Sequence, residues 1–311
     1  MQNSTKHKIV IAKHGGGELA NQLWNYISIY AYGLESGRKV LNPSFYEYHY
    51  GFELLKDESL CTKLLSRLFV NSKSRRGHPW KKLWRRIYSL YPHILKIAST
   101  GSIFSSENTD NTVYYLPPTE SENEQKASAS VYFFGWLFRN PDGLKKYRAE
   151  LVEAFAPKEF IRKNAEALTN PLRAQKKHLI GVHIRRGDYK TFKGGSFWIP
   201  DVRMKQVVEE HIREKGWDKS DTALLIVSDG ATDENVWKEF TSKISKEDAL
   251  TDLYALSRTD AIVGSNSSFG HYASWYGNIP HIVATVEEID WSYYRGKHEY
   301  FANKHASLVQ F

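Results

Sequence analysis

The stretch Lys177 to Tyr189 (Lys-His-Leu-Ile-Gly-Val-His-Ile-Arg-Arg-Gly-Asp-Tyr) constrains this chain more than any other. Leu179 to Ile184 is a short apolar run rich in β-branched residues, the pattern of a strand buried on both faces. It stops at Arg185, Arg186, Gly187 and Asp188, where Gly-Asp signals a turn. The strand therefore delivers two guanidinium groups and a carboxylate to its carboxyl end, the edge at which open α/β sheets bind ligands. Paired arginines there suit phosphate oxygens, which the guanidinium fork binds bidentately. Taken alone, the same four residues also read as a surface ion pair between Arg186 and Asp188.

The rest of the chain repeats the strand-then-helix pattern. His7 to Ala12 reads as a strand, followed by the glycine-rich His14-Gly15-Gly16-Gly17-Glu18-Leu19-Ala20-Asn21-Gln22 and a helix from Leu23 to about Leu34. Lys39 to Leu41 closes this βαβ opening. Glycine-rich turns let backbone amides approach an anion or sugar, but any tight turn also uses glycine. Glu107 to Ser130 reads as loop, Val131 to Phe138 as one strand, and Leu144 to Phe155 and Phe160 to Leu168 as helices. Beyond the central strand, helices are expected over Val202 to Lys215, Asp233 to Lys243, Thr251 to Ser257 and around His271 to Trp275. Strands are expected at Ala223 to Val227, Ala261 to Val263 and His281 to Ala284. Alternation of this kind means parallel sheets in an α/β fold. With 311 residues there is room for two domains, which we divide at the polar stretch around Asn170-Pro171 into 1–172 and 173–311.

Three strand ends in the second half are polar. They are Arg185 to Asp188, Ser228-Asp229, and Gly264-Ser265-Asn266-Ser267-Ser268-Phe269-Gly270. Parallel strands would set them along one edge. Ser267 and Ser268 open a helix and can donate to phosphate oxygens, or simply cap it. Asp229 can accept the two N–H donors of a guanine edge, or serve a turn.

Net charge is +8, yet the basicity is local. Residues 59–106 carry ten Lys or Arg and no Asp or Glu, leaving 33 basic against 35 acidic residues elsewhere. Within this insert, Trp80, Leu83, Trp84, Ile87, Tyr88 and Tyr91 fall on one helical face, and Lys81, Lys82, Arg85 and Arg86 on the other. Pro79 opens the helix and Pro92 ends it. A basic amphipathic helix over 80–91 suits an anionic membrane surface, and equally a helix packed by its aromatic face on a core. No nucleic-acid module is recognisable. The single cysteine, Cys61, excludes an intrachain disulfide and fits a reducing compartment. With no apolar run near a membrane span's ~18 residues and none before Ile9, we expect a cytoplasmic protein, peripheral at most on the inner face of a membrane.

His183-Ile184-Arg185-Arg186-Gly187-Asp188 resembles the first motif of the GDP-fucose-dependent fucosyltransferases, the α-1,2-fucosyltransferase family in particular. Ser265 to Trp275 looks like that family's later motif, preceded as expected by Asp252 to Ser257. Gly17 to Gln22 resembles its amino-terminal Gly-Gly-Leu-Gly-Asn-Gln turn. The resemblance implies a GT-B-like fold of two facing Rossmann-type halves, an acceptor-side first half and a GDP-sugar-binding second half. It implies inverting transfer of L-fucose from GDP-β-L-fucose, with no metal or other cofactor, to an oligosaccharide or lipid-linked glycan, at the 2-OH of a galactoside. Arg185 would hold the β-phosphate, with Arg186 beside it. His183 and Asp229 would face guanosine, Asn266, Ser267 and Ser268 the diphosphate, and Gly17 and Asn21 the sugar. Glu18 stands where the family has a second glycine, Ala20 where it has another, Gly230 where a second acidic residue is usual, and Gly270-His271 where Ser-Trp is usual. These departures bear on the acceptor.

Chemically, departure of GDP leaves positive charge on the sugar and adds negative charge to the diphosphate. One fixed donor there is commonly worth on the order of 3 kcal/mol. Glu18 and Asp188 are the candidate bases for the acceptor hydroxyl, and burial of Glu18 beside a diphosphate would raise its pKa. No His, Cys and carboxylate cluster has metal-site spacing. The alternatives are a nucleotide-binding module at a membrane surface and a transferase using another nucleotide-sugar donor. A sulfotransferase is disfavoured because the turn at Gly15 to Gln22 lacks a Lys and Ser/Thr to grip a terminal phosphate.

Overall fold

The computed structural model describes residues 8–13, 17–53, 79–98, 103–108, 112–116 and 130–296. The chain forms two compact units, residues 1–158 and 159–311. Helix Glu159–Arg173, placed with the first half from its sequence, belongs to the second unit.

In the first unit, β1 (Ile9–Lys13) leads to α1 (Leu19–Glu35) and β2 (Val40–Leu41). The glycine-rich turn is described only from Gly17, so His14 to Gly16 lie outside the described residues. Two helices follow from the basic insert, α2 (Pro79–Tyr88) and α3 (Leu90–Ala98). Pro92 therefore does not end the helical stretch. It sits in the first turn of α3, where a missing N–H costs no helical bond. Then come β3 (Ile103–Asn108), β4 (Tyr114–Tyr115), β5 (Ser130–Gly135), β6 (Phe138–Arg139), α4 (Pro141–Lys146) and α5 (Arg148–Ala154). The sheet order is β2-β1-β5-β3, all parallel, with β4 and β6 as a separate parallel pair. Glu107 and Asn108 thus pair in β3 rather than lying in a loop. The expected strand Val131 to Phe138 breaks in two because Leu137 takes φ +62°. Buried Asn25 brackets that bend: its Nδ2 donates to the Gly135 carbonyl (3.4 Å) and its Oδ1 accepts from Phe138 N (3.2 Å). The core is aromatic. Phe155 meets Tyr26 edge-on at 4.9 Å, and Phe133 meets Phe138 at 4.8 Å.

The second unit runs α6 (Glu159–Arg173), β7 (His178–Ile184), α7 (Asp201–Glu214), β8 (Thr222–Ser228), β9 (Thr241–Ile244), α8 (Ala249–Leu256), β10 (Ala261–Gly264), α9 (Ser268–Gly277), β11 (His281–Val283) and α10 (Trp291–Tyr294). Pro171 lies inside α6. Its missing N–H leaves the Ala167 carbonyl open, and Lys243 Nζ donates there instead (3.1 Å). The expected helix Asp233 to Lys243 is a single 3-10 turn at Glu234–Trp237 followed by edge strand β9. Trp237 and Phe240 are both buried in the core, and their spacing of three mimics a helical face.

The five strands order as β11-β10-β7-β8-β9, all parallel. From β7 the chain steps outward through β8 to β9, then returns to β10 on the other side. The order therefore reverses between β7 and β10, the switch point at which such sheets open a crevice outside their carboxyl ends. α7 packs Met204, Val207 and Val208 onto Ile180, Val182, Ile184 and Val263. Both units are α/β with mostly parallel strands, as the sequence pattern implies. Among the described residues no helix is long and apolar enough to cross a membrane.

Gly277 closes α9 against the end of α8, and a Cβ there would lie 2.2 Å from the Ser257 carbonyl oxygen. Gly277→Ala must move backbone rather than a flexible side chain. We expect a loss of about 1–3 kcal/mol in guanidinium unfolding; an unchanged midpoint would contradict this packing.

Candidate functional site

Arg185 leaves β7 at the switch point. Its backbone N–H donates to Ser265 Oγ across from β10 (3.1 Å), and Ser265 N donates to the His183 carbonyl (2.9 Å). The guanidinium lies over the Tyr189 ring at 5.5 Å and pairs with two carboxylates, Asp229 through Nη1 and Asp188 through Nη2 at 2.7 Å. The two partners differ in setting: the Asp229 side chain is 24% exposed and that of Asp188 61%.

Asp229, at the end of β8, is engaged by protein donors. Besides Arg185, it accepts from the backbone N–H groups of Arg186 and Gly187, the latter at 3.2 Å. Both oxygens thus help hold the Arg-Arg-Gly turn, the turn role that the sequence also allows for Asp229. Arg186 turns the other way. It is buried, donates to the Ile199 carbonyl (2.7 Å), pairs with Asp201 and stacks on Trp198 at 5.1 Å. Its fork is spent inside the fold. Gly230 follows from this, because a Cβ there would lie 2.7 Å from Arg186 Cβ.

The loop after β10 completes the edge. Ser267 caps α9, its Oγ accepting from Phe269 N at 3.4 Å, which is the capping reading of the serines. Ser268 is buried beside it. Asn266 gives its carbonyl to Tyr189 Oη–H (2.7 Å) and its Oδ1 to His271 Nε2 (3.2 Å). Buried His183 stacks on Phe269 at 5.1 Å, and burial lowers its pKa to about 4, with Arg185 adding to the effect and Asp229 opposing it. A Cβ on Gly270 would meet His281 at 2.9 Å and His183 Nδ1 at 3.2 Å. The imidazoles occupy the space a serine there would need.

The second set of residues lies in the first unit. Gly17 takes φ +78°, and Asn21 folds so closely over it that a Cβ would sit 2.3 Å from Asn21 Nδ2. Asn21 Oδ1 is buried without a partner among the described residues. Glu18, at the N-cap of α1, is part-exposed, its side chain 44% accessible. Its Oε2 accepts from Tyr48 Oη–H at 2.9 Å, and Arg85 lies 3.8 Å from Oε1. Arg85 itself grips Glu47 bidentately at 2.6 and 3.1 Å. Burial, then the Glu18 carboxylate, keep the Tyr48 hydroxyl protonated.

Sequence reasoning missed Ser265, Tyr189, Tyr48 and Arg85 as parts of these sites. Ser265 and Tyr189 flank the quoted motifs, so proximity alone could have flagged them. A cavity of about 200 Å³ lined by His211, Trp291 and Tyr294 touches none of the predicted site residues. Among the described residues no group of three metal-ligating side chains is assembled.

No family profile and no curated protein matches this sequence. Solved structures do resemble it. An Arabidopsis thaliana FUT1 mutant in complex with GDP is 17% identical, with a TM-score of 0.57 over 93% of this chain and 72% of that one. POFUT1 in complex with GDP-fucose is 11% identical, with a TM-score of 0.54 over 92% of this chain and 99% of that one. POFUT1 in complex with GDP gives 12% and 0.52 over 91% and 99%. The likeness establishes the fold of the chain as that of the GT-B fucosyltransferases.

Two expectations follow. Arg186→Met should unfold the second unit far more readily, since breaking a buried pair costs about 3–5 kcal/mol; a melting temperature within a degree of wild type would return Arg186 to the ligand. His183 and His211, the latter lowered to about 3 by burial first, bind protons more readily when unfolded. Stability is therefore full above pH ~6.5 and falls as pH drops toward about 3, by on the order of a few kcal/mol. His183→Phe and His211→Phe should flatten that slope in thermal melts.

Proposed function

We propose that this chain is an inverting glycosyltransferase that moves L-fucose from GDP-β-L-fucose to a glycan hydroxyl without a metal. The observation that carries the reading is Arg185, held at the switch point between β7 and β10 beside the N-terminus of α9. A diphosphate at that edge would meet a fixed cation and helix-terminal amides together. Proteins of the same fold are solved with GDP and with GDP-fucose, which supports that class of donor.

The chemistry follows from the contacts. Asp229 fixes Arg185 from the fold side, while Asp188 holds it from the solvent side. Opening an exposed pair of the Asp188 kind costs at most about 1 kcal/mol, so a diphosphate can replace that carboxylate at the guanidinium. As the sugar–phosphate bond breaks, Arg185 neutralises the charge gathering on GDP. Buried His183 stacks on Phe269 nearby and stays neutral, so it adds no charge of its own beside Arg185. Glu18 and Asp188 remain the two candidate bases. The 2-OH of a galactoside, a lipid-linked glycan acceptor and a cytoplasmic location are supported by the sequence reading alone.

Arg185→Lys keeps the charge and loses the fork. It should fold normally, bind GDP weakly in calorimetry and lower turnover of GDP-fucose by about 10²–10³-fold. Asp188→Asn should tighten GDP binding, and its pH–rate profile against that of Glu18→Gln identifies the base. Wild-type turnover in Arg185→Lys would sink the assignment, and GDP binding without turnover on any acceptor would favour a nucleotide-binding module.

A further inference from the structure

The basic helices of the first unit present their faces differently from the sequence expectation. Tyr88 is turned inward: its hydroxyl donates to the Ala12 carbonyl (2.7 Å) and its ring packs on Tyr46 at 5.1 Å. Arg85, nominally on the polar face, also points inward to Glu47. The outward side carries Leu83, Ile87, Leu90 and Ile94, exposed by 43, 45, 60 and 61%. Leu83 and Ile87 stand i, i+4 on α2, and Leu90 and Ile94 i, i+4 on α3, so each helix bears an exposed aliphatic pair of the outward stripe, the two pairs meeting across Ser89. A row of four large aliphatic side chains in water is unusual for a soluble surface.

We propose that this stripe is the docking face for an anionic lipid surface. Charge decides the occupant. The stripe sits within the ten-cation, acid-free segment 59–106, and exposed Arg86 flanks it. Apolar side chains entering the headgroup boundary, ringed by cations, is how interfacial helices bind anionic membranes. A second copy fits poorly, because a two-fold interface would set the same basic segment against itself. The inward face is pinned by Tyr88 and Arg85, so the stripe can dock without unfolding the domain. This inference stands apart from the donor assignment, since its residues lie in the first unit and Arg185 and its partners in the second.

The test uses the full chain and vesicles of phosphatidylcholine with and without phosphatidylglycerol. Co-sedimentation should require the anionic lipid, weaken steeply between low and high salt, and fall at least about 10-fold in Leu90→Asp/Ile94→Asp. That double variant should keep its melting temperature and its GDP binding, which separates a lost surface from a lost fold. Absence of binding by wild type overturns the proposal, as does salt-insensitive binding or binding unaffected by the double variant. A dimer in sedimentation velocity that the double variant dissolves, without vesicle binding, would give the stripe to a second copy.

Discussion

The Asp229 carboxylate is the contact on which the second unit's edge depends. Three donors converge on it: one guanidinium and two consecutive backbone amides. The turn after β7 takes these two amides out of the sheet ladder, and Asp229 accepts both. By accepting them, Asp229 turns the chain sharply and sends the two arginines in opposite senses. Arg185 stays at the edge, and Arg186 goes inward to Ile199 and Asp201. Charge-assisted bonds of this kind are short and directional, so the guanidinium arrives with little freedom left to lose.

Much of this was legible from residues alone, and the failures have physical causes. β7 reads correctly because a strand buried on both faces has no polar alternation to confuse it. The cap at Ser267 and the turn at Gly187 read correctly because they are local. What could not be read is long-range. Arg185 and Arg186 are neighbours with the same side chain, and only the loop at Ile199 to Asp201 separates their fates. That the Asp229 carboxylate serves amides forty-odd residues earlier in the chain is likewise invisible to local pattern.

The α2–α3 segment shows a different limit. A helical wheel puts Tyr88 with Leu83 and Ile87, and Arg85 with the lysines. The fold draws its boundary elsewhere, because a phenol can reach a strand carbonyl and a guanidinium can bind two glutamates, while an aliphatic side chain can do neither. Specific polar contacts, rather than average hydrophobicity, chose the inward face.

The snug fit of Gly230 against Arg186 constrains how this chain could change. Because the closest approach is Cβ to Cβ, and every residue but glycine carries that atom, a side chain at residue 230 requires the turns after β7 and β8 to move apart, whatever the rotamer of Arg186.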